Sequence, residues 1–191
     1  MRRLCLLSIV LMSFLLSGCV TVVDAVSSDS QIQPDPTKRS FGEYWDDKQL
    51  RTIIAVNLRK ADPAFNKLNV NVYSYKSVVL LTGAVPTKEL RELAGETARS
   101  VNRVRLVYNE LIVGASGGFL DRAEDSLLGT KIKSKLFAYK DIDSSRVEVF
   151  VEDNTVYLMG LLSRAQTEKI TDVVRKQKGV RKVVRAIEYI D

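Results

Sequence analysis

Val79-Leu80-Leu81-Thr82-Gly83 reads as an apolar strand that runs into a glycine, and Val156-Tyr157-Leu158-Met159-Gly160 says the same thing again. Working outward, Val104-Arg105-Leu106-Val107-Tyr108-Asn109-Glu110-Leu111 is matched by Val180-Arg181-Lys182-Val183-Val184-Arg185-Ala186-Ile187. Upstream, Leu50, Ile54 and Leu58 are matched by Leu128, Ile132 and Leu136. The spacing between partners falls from 78 to 77 to 76 residues along the chain. Such drift is what single-residue loop differences produce between two repeats of one unit.

Each repeat has the same order of elements. A helix comes first, its apolar residues four apart. Two alternating strands follow, Leu68, Val70, Val72 then Val79, Leu81, and in the second repeat Val147, Val149, Val151 then Val156, Leu158. Short polar connections at Tyr75-Lys76-Ser77 and Asp153-Asn154 suit hairpins. A second helix is clearest as Leu90, Leu93, Ala94, Thr97, Ala98 and Val101, and a last strand closes the unit, giving αββαβ. Gly114-Ala115-Ser116-Gly117-Gly118 separates the repeats and is too short to let them drift far apart, so they pack together or move as a pair.

That order, with glycine ending the second strand at Gly83 and Gly160 and a valine-rich third strand, resembles the BON domain. The resemblance implies an α+β fold of two tandem BON domains, residues 46–114 and 119–191. Each is expected to have a small mixed three-stranded sheet packed against two helices.

The chain opens with Arg2 and Arg3, an apolar run from Leu4 to Leu16 broken by Ser8 and Ser13, and then Leu16-Ser17-Gly18-Cys19. This is the layout of an export signal, with an apolar stretch too short to span a bilayer. The tetrad resembles a lipobox, which implies that residues 1–18 are removed and that Cys19 carries the lipid attachment, a diacylglyceryl thioether plus an acylated amine such as palmitate supplies. Three acyl chains make such an anchor effectively permanent, whereas one is marginal. Residues 19–45, with Ser27-Ser28-Asp29-Ser30, Pro34 and Pro36, read as an acylated N-terminus and flexible tether with a reach of about 25 Å. A lipobox followed by two such domains is similar to the tandem-BON outer-membrane lipoproteins, a likeness that extends to Tyr108-Asn109-Glu110, Thr130-Lys131-Ile132 and Met159-Gly160-Leu161. Membership would imply the periplasmic face of the outer membrane, a role in envelope integrity, and placement at the division site. Val20 after the cysteine agrees with outer-membrane delivery.

Composition narrows the chemistry. There is no histidine, and of the two cysteines Cys5 leaves with the signal. Disulfides, His or Cys metal sites, Ser-His-Asp triads and Cys-His nucleophiles are excluded for the mature chain. Its carboxylates are scattered among bases, so neither an enzyme nor a cofactor is expected. Loss of Arg2 and Arg3 takes the net charge from +6 to +4.

At about 100° per residue, the first helix of the second repeat centres its core stripe on Ile132. Leu127 and Phe137 then fall roughly 140° away on the far face, with Thr130, Lys131 and Ser134 between them and Lys133 and Lys135 on the flanks. Exposed apolar groups beside lysines have the composition of a bilayer contact. The same residues also suit a contact with the other repeat. The resemblance implies the first role, binding of anionic phospholipids such as phosphatidylglycerol, with Leu127 in the place of an aromatic wedge. A second basic run, Arg164 to Arg185, either steers the domain toward phosphate or solvates a helix and strand. Tyr108, Asn102 and Asn109 read as hydrogen-bonding residues at strand ends. Nucleic acid is not an expected partner of an anchored envelope protein. The other reading is a protein adaptor for outer-membrane assembly machinery or a peptidoglycan enzyme, using the first repeat, where Ile53 and Val56 lie off the core stripe.

Overall fold

A computed structural model describes residues 34–114 and 119–191. The signal segment 1–18, Cys19 and most of the expected tether lie outside the described residues. The first repeat comprises α1 (Phe41–Ala61), a 3-10 turn (Pro63–Asn66), β1 (Val70–Tyr75), β2 (Val78–Val85), α2 (Lys88–Arg99), β3 (Leu106–Asn109) and β4 (Ile112–Val113). The second comprises α3 (Phe119–Ala138), a 3-10 turn (Ser144–Arg146), β5 (Val147–Glu152), β6 (Thr155–Leu162), α4 (Arg164–Arg175) and β7 (Lys182–Tyr189). The order is αββαβ twice, as the periodicity predicts.

Helix α1 begins inside the stretch expected to be tether. The cause is a capping box: the Ser40 hydroxyl accepts from Glu43 N at 3.2 Å, and Glu43 Oε2 accepts from Ser40 N at 2.7 Å. Two of the four unpaired donors at the helix start are satisfied this way. Helix α4 starts on the same device, Ser163 with Gln166.

Both hairpins turn through two residues in the left-handed region, Lys76 and Ser77 in one and Asp153 and Asn154 in the other. This type I′ turn matches the twist of its strands; Asp153 and Asn154 belong to the residue types that favour it, whereas Lys76 and Ser77 do not. A buried carboxylate on the preceding helix holds each turn. Asp47 accepts from Lys76 N at 2.8 Å, Ser77 N at 2.9 Å and the Ser74 hydroxyl at 2.6 Å. Asp125 accepts from Asp153 N at 2.6 Å and Asn154 N at 2.9 Å. Both are over nine-tenths buried, and these bonds are what make burial of a charge tolerable.

β1 and β2 pair antiparallel, and β2 and β3 pair parallel across α2; β5, β6 and β7 repeat the arrangement. The first sheet has a fourth, two-residue strand that the sequence does not announce. β4 pairs with β2 in the register of β3, so it is the same strand resumed after Glu110 and Leu111, opposite the backbone twist at Gly83, where φ is +110°. In the second repeat β7 runs unbroken. The glycines ending both phrases are there for space. Gly83 lies opposite Val70, where a Cβ would land on the carbonyl oxygen of Asn69; Gly160 lies opposite Val147, where it would land on that of Arg146.

Alternate residues of β2 serve two cores. Val79, Leu81 and Val85 join Leu50, Ile54, Leu58, Ala94 and Ala98 under α1 and α2. In the second repeat Val156, Leu158 and Leu162 join Leu128, Ile132, Leu136, Ile170 and Val174. The opposite faces, Val78 and Leu80 in one sheet and Tyr157, Met159 and Ala186 in the other, form a third cluster between the repeats. Pro36–Asp191 is therefore one compact unit in which the two sheets stack face to face. Tyr73 and Phe150 stack with centroids 3.9 Å apart, the Tyr108 hydroxyl donates to Ile187 O at 3.2 Å, and Arg105 pairs with Glu188. The expectation that the short linker keeps the repeats together is met by this interface.

Glu152 lies in the interface, where Asn71 Nδ2 donates to its Oε1 at 3.0 Å and its Oε2 has no hydrogen-bond partner among the described residues. Burial raises its pKa above the ordinary 4.5. A raised carboxyl pKa means that its contribution to stability is full below the ordinary value and is lost as pH rises through the folded-state value. Glu152→Gln is thus expected to gain melting temperature relative to wild type between pH 4 and pH 7, with the gain largest at the neutral end; thermal denaturation across that range measures it.

Candidate functional site

Helix α3 lays Leu128, Ile132 and Leu136 on the sheet with at most 7% of each exposed. Its opposite face carries Leu127, 73% exposed, and Phe137, 82% exposed. Thr130, Lys131, Lys133, Ser134 and Lys135 are exposed as well. The alternative that Leu127 and Phe137 are consumed by the interface between repeats is ruled out, because that interface is made by the sheets and leaves α3 outside.

None of Lys131, Lys133 and Lys135 pairs with a carboxylate among the described residues. Lys133 Nζ lies 5.9 Å from the Phe150 ring centroid and Lys135 Nζ lies 5.9 Å from that of Tyr139, so each ammonium sits at the limit of a cation–π contact, which leaves its net charge uncancelled. The Thr130 hydroxyl instead donates to Ser126 O at 3.0 Å. Its hydrogen is spent on the helix backbone.

Beside this face is a groove of about 520 Å3 between α3 and β5, lined by Lys133, Ser134, Phe137, Ser144, Ser145 and Glu148 among others. In the adjoining concavity with Phe137 and Tyr139, the pKa of the Asp143 carboxyl is held down to about 2, chiefly by the Ser145 hydroxyl and also by Lys38. The face also includes Tyr139, 40% exposed just past the end of α3, which the helical periodicity could not flag because it follows the last turn.

The basic run from Arg164 to Arg185 is partly neutralised by local carboxylates. Lys169 pairs with Asp141 at 2.9 Å, Arg175 with Asp172 at 2.9 Å and Arg185 with Glu168 at 2.6 Å, while Arg181 donates to Asp153 O at 2.9 Å. Tyr108 and Asn109 are structural: Asn109 Nδ2 donates to Arg91 O at 2.7 Å, and Arg91 returns a bond to Asn109 O at 2.9 Å. In the first repeat, Ile53 is 47% exposed and Val56 half-buried. Among the described residues, no cluster of His, Cys, Asp or Glu is arranged to hold a metal, and no helix is long and apolar enough to cross a membrane.

The BON domain family matches residues 46–115 and again 124–191. The chain is 36% identical over 152 residues to the 21 kDa hemolysin of Actinobacillus pleuropneumoniae, covering 80% of this chain and 78% of that protein. It is 32% identical over 177 residues to the outer membrane lipoprotein DolP of Haemophilus influenzae, covering 92% and 91%. Against the osmotically-inducible protein Y of Escherichia coli the identity is 27% over 152 residues, covering 78% and 75%. The chain belongs to the BON domain family and carries two copies of the domain.

Proposed function

We propose that this tandem-BON chain is an outer-membrane lipoprotein, held at the periplasmic face by acyl chains on Cys19, whose second domain docks on anionic phospholipid through α3. The observation that carries the reading is the pair Leu127 and Phe137, both more than 70% exposed and set among lysines that have no carboxylate partner among the described residues. Apolar side chains at such a surface enter the acyl boundary while each ammonium close to an anionic headgroup contributes about 1 kcal/mol. Similarity to a lipoprotein of the outer membrane along nine-tenths of the chain supports the location. Resemblance to the tandem-BON outer-membrane lipoproteins adds to this reading a supporting role in envelope integrity and placement at the division site. The protein acts by binding and performs no chemistry.

The test is co-sedimentation of the chain from Val20 onward with vesicles. Binding to vesicles containing phosphatidylglycerol, weakened by salt and absent with phosphatidylcholine alone, is expected; equal binding to both would reject the lipid-reading role.

The adaptor reading is less well supported. Of the two residues that motivate it, Ile53 is 47% exposed but Val56 is half-buried, and the sheet faces that might hold a partner are occupied by one another. Photo-crosslinkers on the outer face of α1 that capture an assembly or peptidoglycan protein in cells would restore it.

A further inference from the structure

The first turns of α1 carry three aromatic rings that no core requires. Phe41 is 77% exposed, Tyr44 41% and Trp45 44%; Phe41 and Tyr44 each meet Trp45 edge-on, at 6.1 and 6.2 Å between centroids. With Lys48, whose Nζ lies 4.8 Å from the Trp45 ring centroid, they fall three and four residues apart on one face of the helix. The acidic residues of these turns are all matched: Glu43 by Lys76 at 3.1 Å, Asp46 by Arg103 at 2.6 Å and Asp47 by Arg39 at 3.5 Å. Further along the helix, Lys48, Arg51 and Arg59 line a groove of about 450 Å3 against Val70 and Val72, with no carboxylate in its lining. This side of the helix thus offers aromatic rings and uncompensated cations.

Its position matters as much as its composition. Arg39, immediately before the cap, packs its guanidinium 5.0 Å from the Tyr44 ring centroid and pairs with Glu148, which lines the groove beside Phe137. Lys38 pairs with Asp143 at 3.2 Å and shares a concavity of about 660 Å3 with Phe137 and Tyr139. The segment entering α1 therefore runs along the apolar end of α3.

We propose that Phe41, Tyr44 and Trp45 extend the bilayer-docking surface across the seam between the domains, so that an anionic membrane is met by α1 and α3 together. The occupant is a lipid surface, because tryptophan and tyrosine favour the boundary between acyl chains and headgroups, and because matched carboxylates leave the local field to Lys48, Arg51 and Arg59. The inference rests on the second-domain reading for its ligand but is carried by different residues.

Trp45 is the sole tryptophan of the chain, so its fluorescence reports on this surface alone. The full chain is reconstituted into phosphatidylcholine vesicles with or without phosphatidylglycerol, using lipids brominated on the acyl chains as quenchers. Expected with phosphatidylglycerol are a blue-shifted emission, quenching by the bromines and protection from aqueous acrylamide, with none of these in phosphatidylcholine alone. The double variant Phe41→Ser, Tyr44→Ser should lose most of the bromine quenching. If Trp45 stays open to acrylamide while the chain from Val20 still sediments only with phosphatidylglycerol, the extension across the seam is overturned and the α3 reading stands. If Trp45 is quenched equally in wild type and Leu127→Glu, the α1 surface acts alone and the composite surface is overturned. Protection that rises with protein concentration without lipid would assign the rings to a second copy of the chain and overturn the proposal.

Discussion

Leu127→Glu is expected to weaken binding to phosphatidylglycerol vesicles about a hundredfold while leaving the melting temperature of the protein unchanged. Full burial of a leucine side chain contributes about 1.5–3 kcal/mol, and a carboxylate set against an anionic surface reverses about 1 kcal/mol of attraction. Their sum corresponds to about two decades in affinity. Because Leu127 is 73% exposed and outside all three apolar clusters, its loss costs the fold less than about 0.5 kcal/mol. Phe137→Ser should act in the same direction, and Lys131→Glu should flatten the salt dependence by removing one screened contact. Vesicle co-sedimentation alongside thermal denaturation measures both halves of the expectation; a variant that binds normally and melts normally would remove α3 from the account.

Gly160→Ala is expected to destabilise the protein by at least about 3 kcal/mol and to disorder the second domain, by the same one-carbon change that Gly129→Ala makes with the opposite sign. At position 160 the new methyl would occupy the carbonyl oxygen of Arg146, the residue joined directly to Val147 of the paired strand, which cannot retreat without pulling Val147 out of the β5–β6 ladder. At position 129, inside α3, the nearest atom is Val151 Cγ2 at 3.4 Å, and replacing a helical glycine returns about 0.5–1 kcal/mol of backbone entropy. Denaturant titration of the two variants gives both values, and near-UV circular dichroism reports whether the aromatic packing of the second domain survives.

The elements were legible wherever one physical rule set them alone. Leucines and isoleucines four apart gave the helix faces, valine alternation gave the hairpins, and a repeated glycine marked the close approach of two backbones. The stacking of the sheets was legible only in retrospect. Val78-Val79-Leu80-Leu81 and Val156-Tyr157-Leu158-Met159 are apolar without interruption, which a strand needs only when both its faces are covered. The start of α1 was also written in the chain, as Ser40 with Glu43 three residues on, but serines and prolines just upstream favoured an irregular reading. Asp47 and Asp125 occupy equivalent places in the two repeats, yet a carboxylate next to a leucine stripe resembles ordinary helix surface until the hairpin it holds is seen. Of the docking surface, the outward direction of Leu127 and Phe137 followed from helix geometry. Nothing local could have joined Arg39 to Glu148, whose meeting depends on how the domains assemble.

The stacked sheets explain why the unit is duplicated at all. A solitary αββαβ module, stripped of its sibling, would present a greasy plane of valine, leucine, tyrosine and methionine and would seek a twin to hide it, forming a symmetric pair whose strength varied with abundance. Fusion of the halves into one polypeptide makes that marriage independent of concentration.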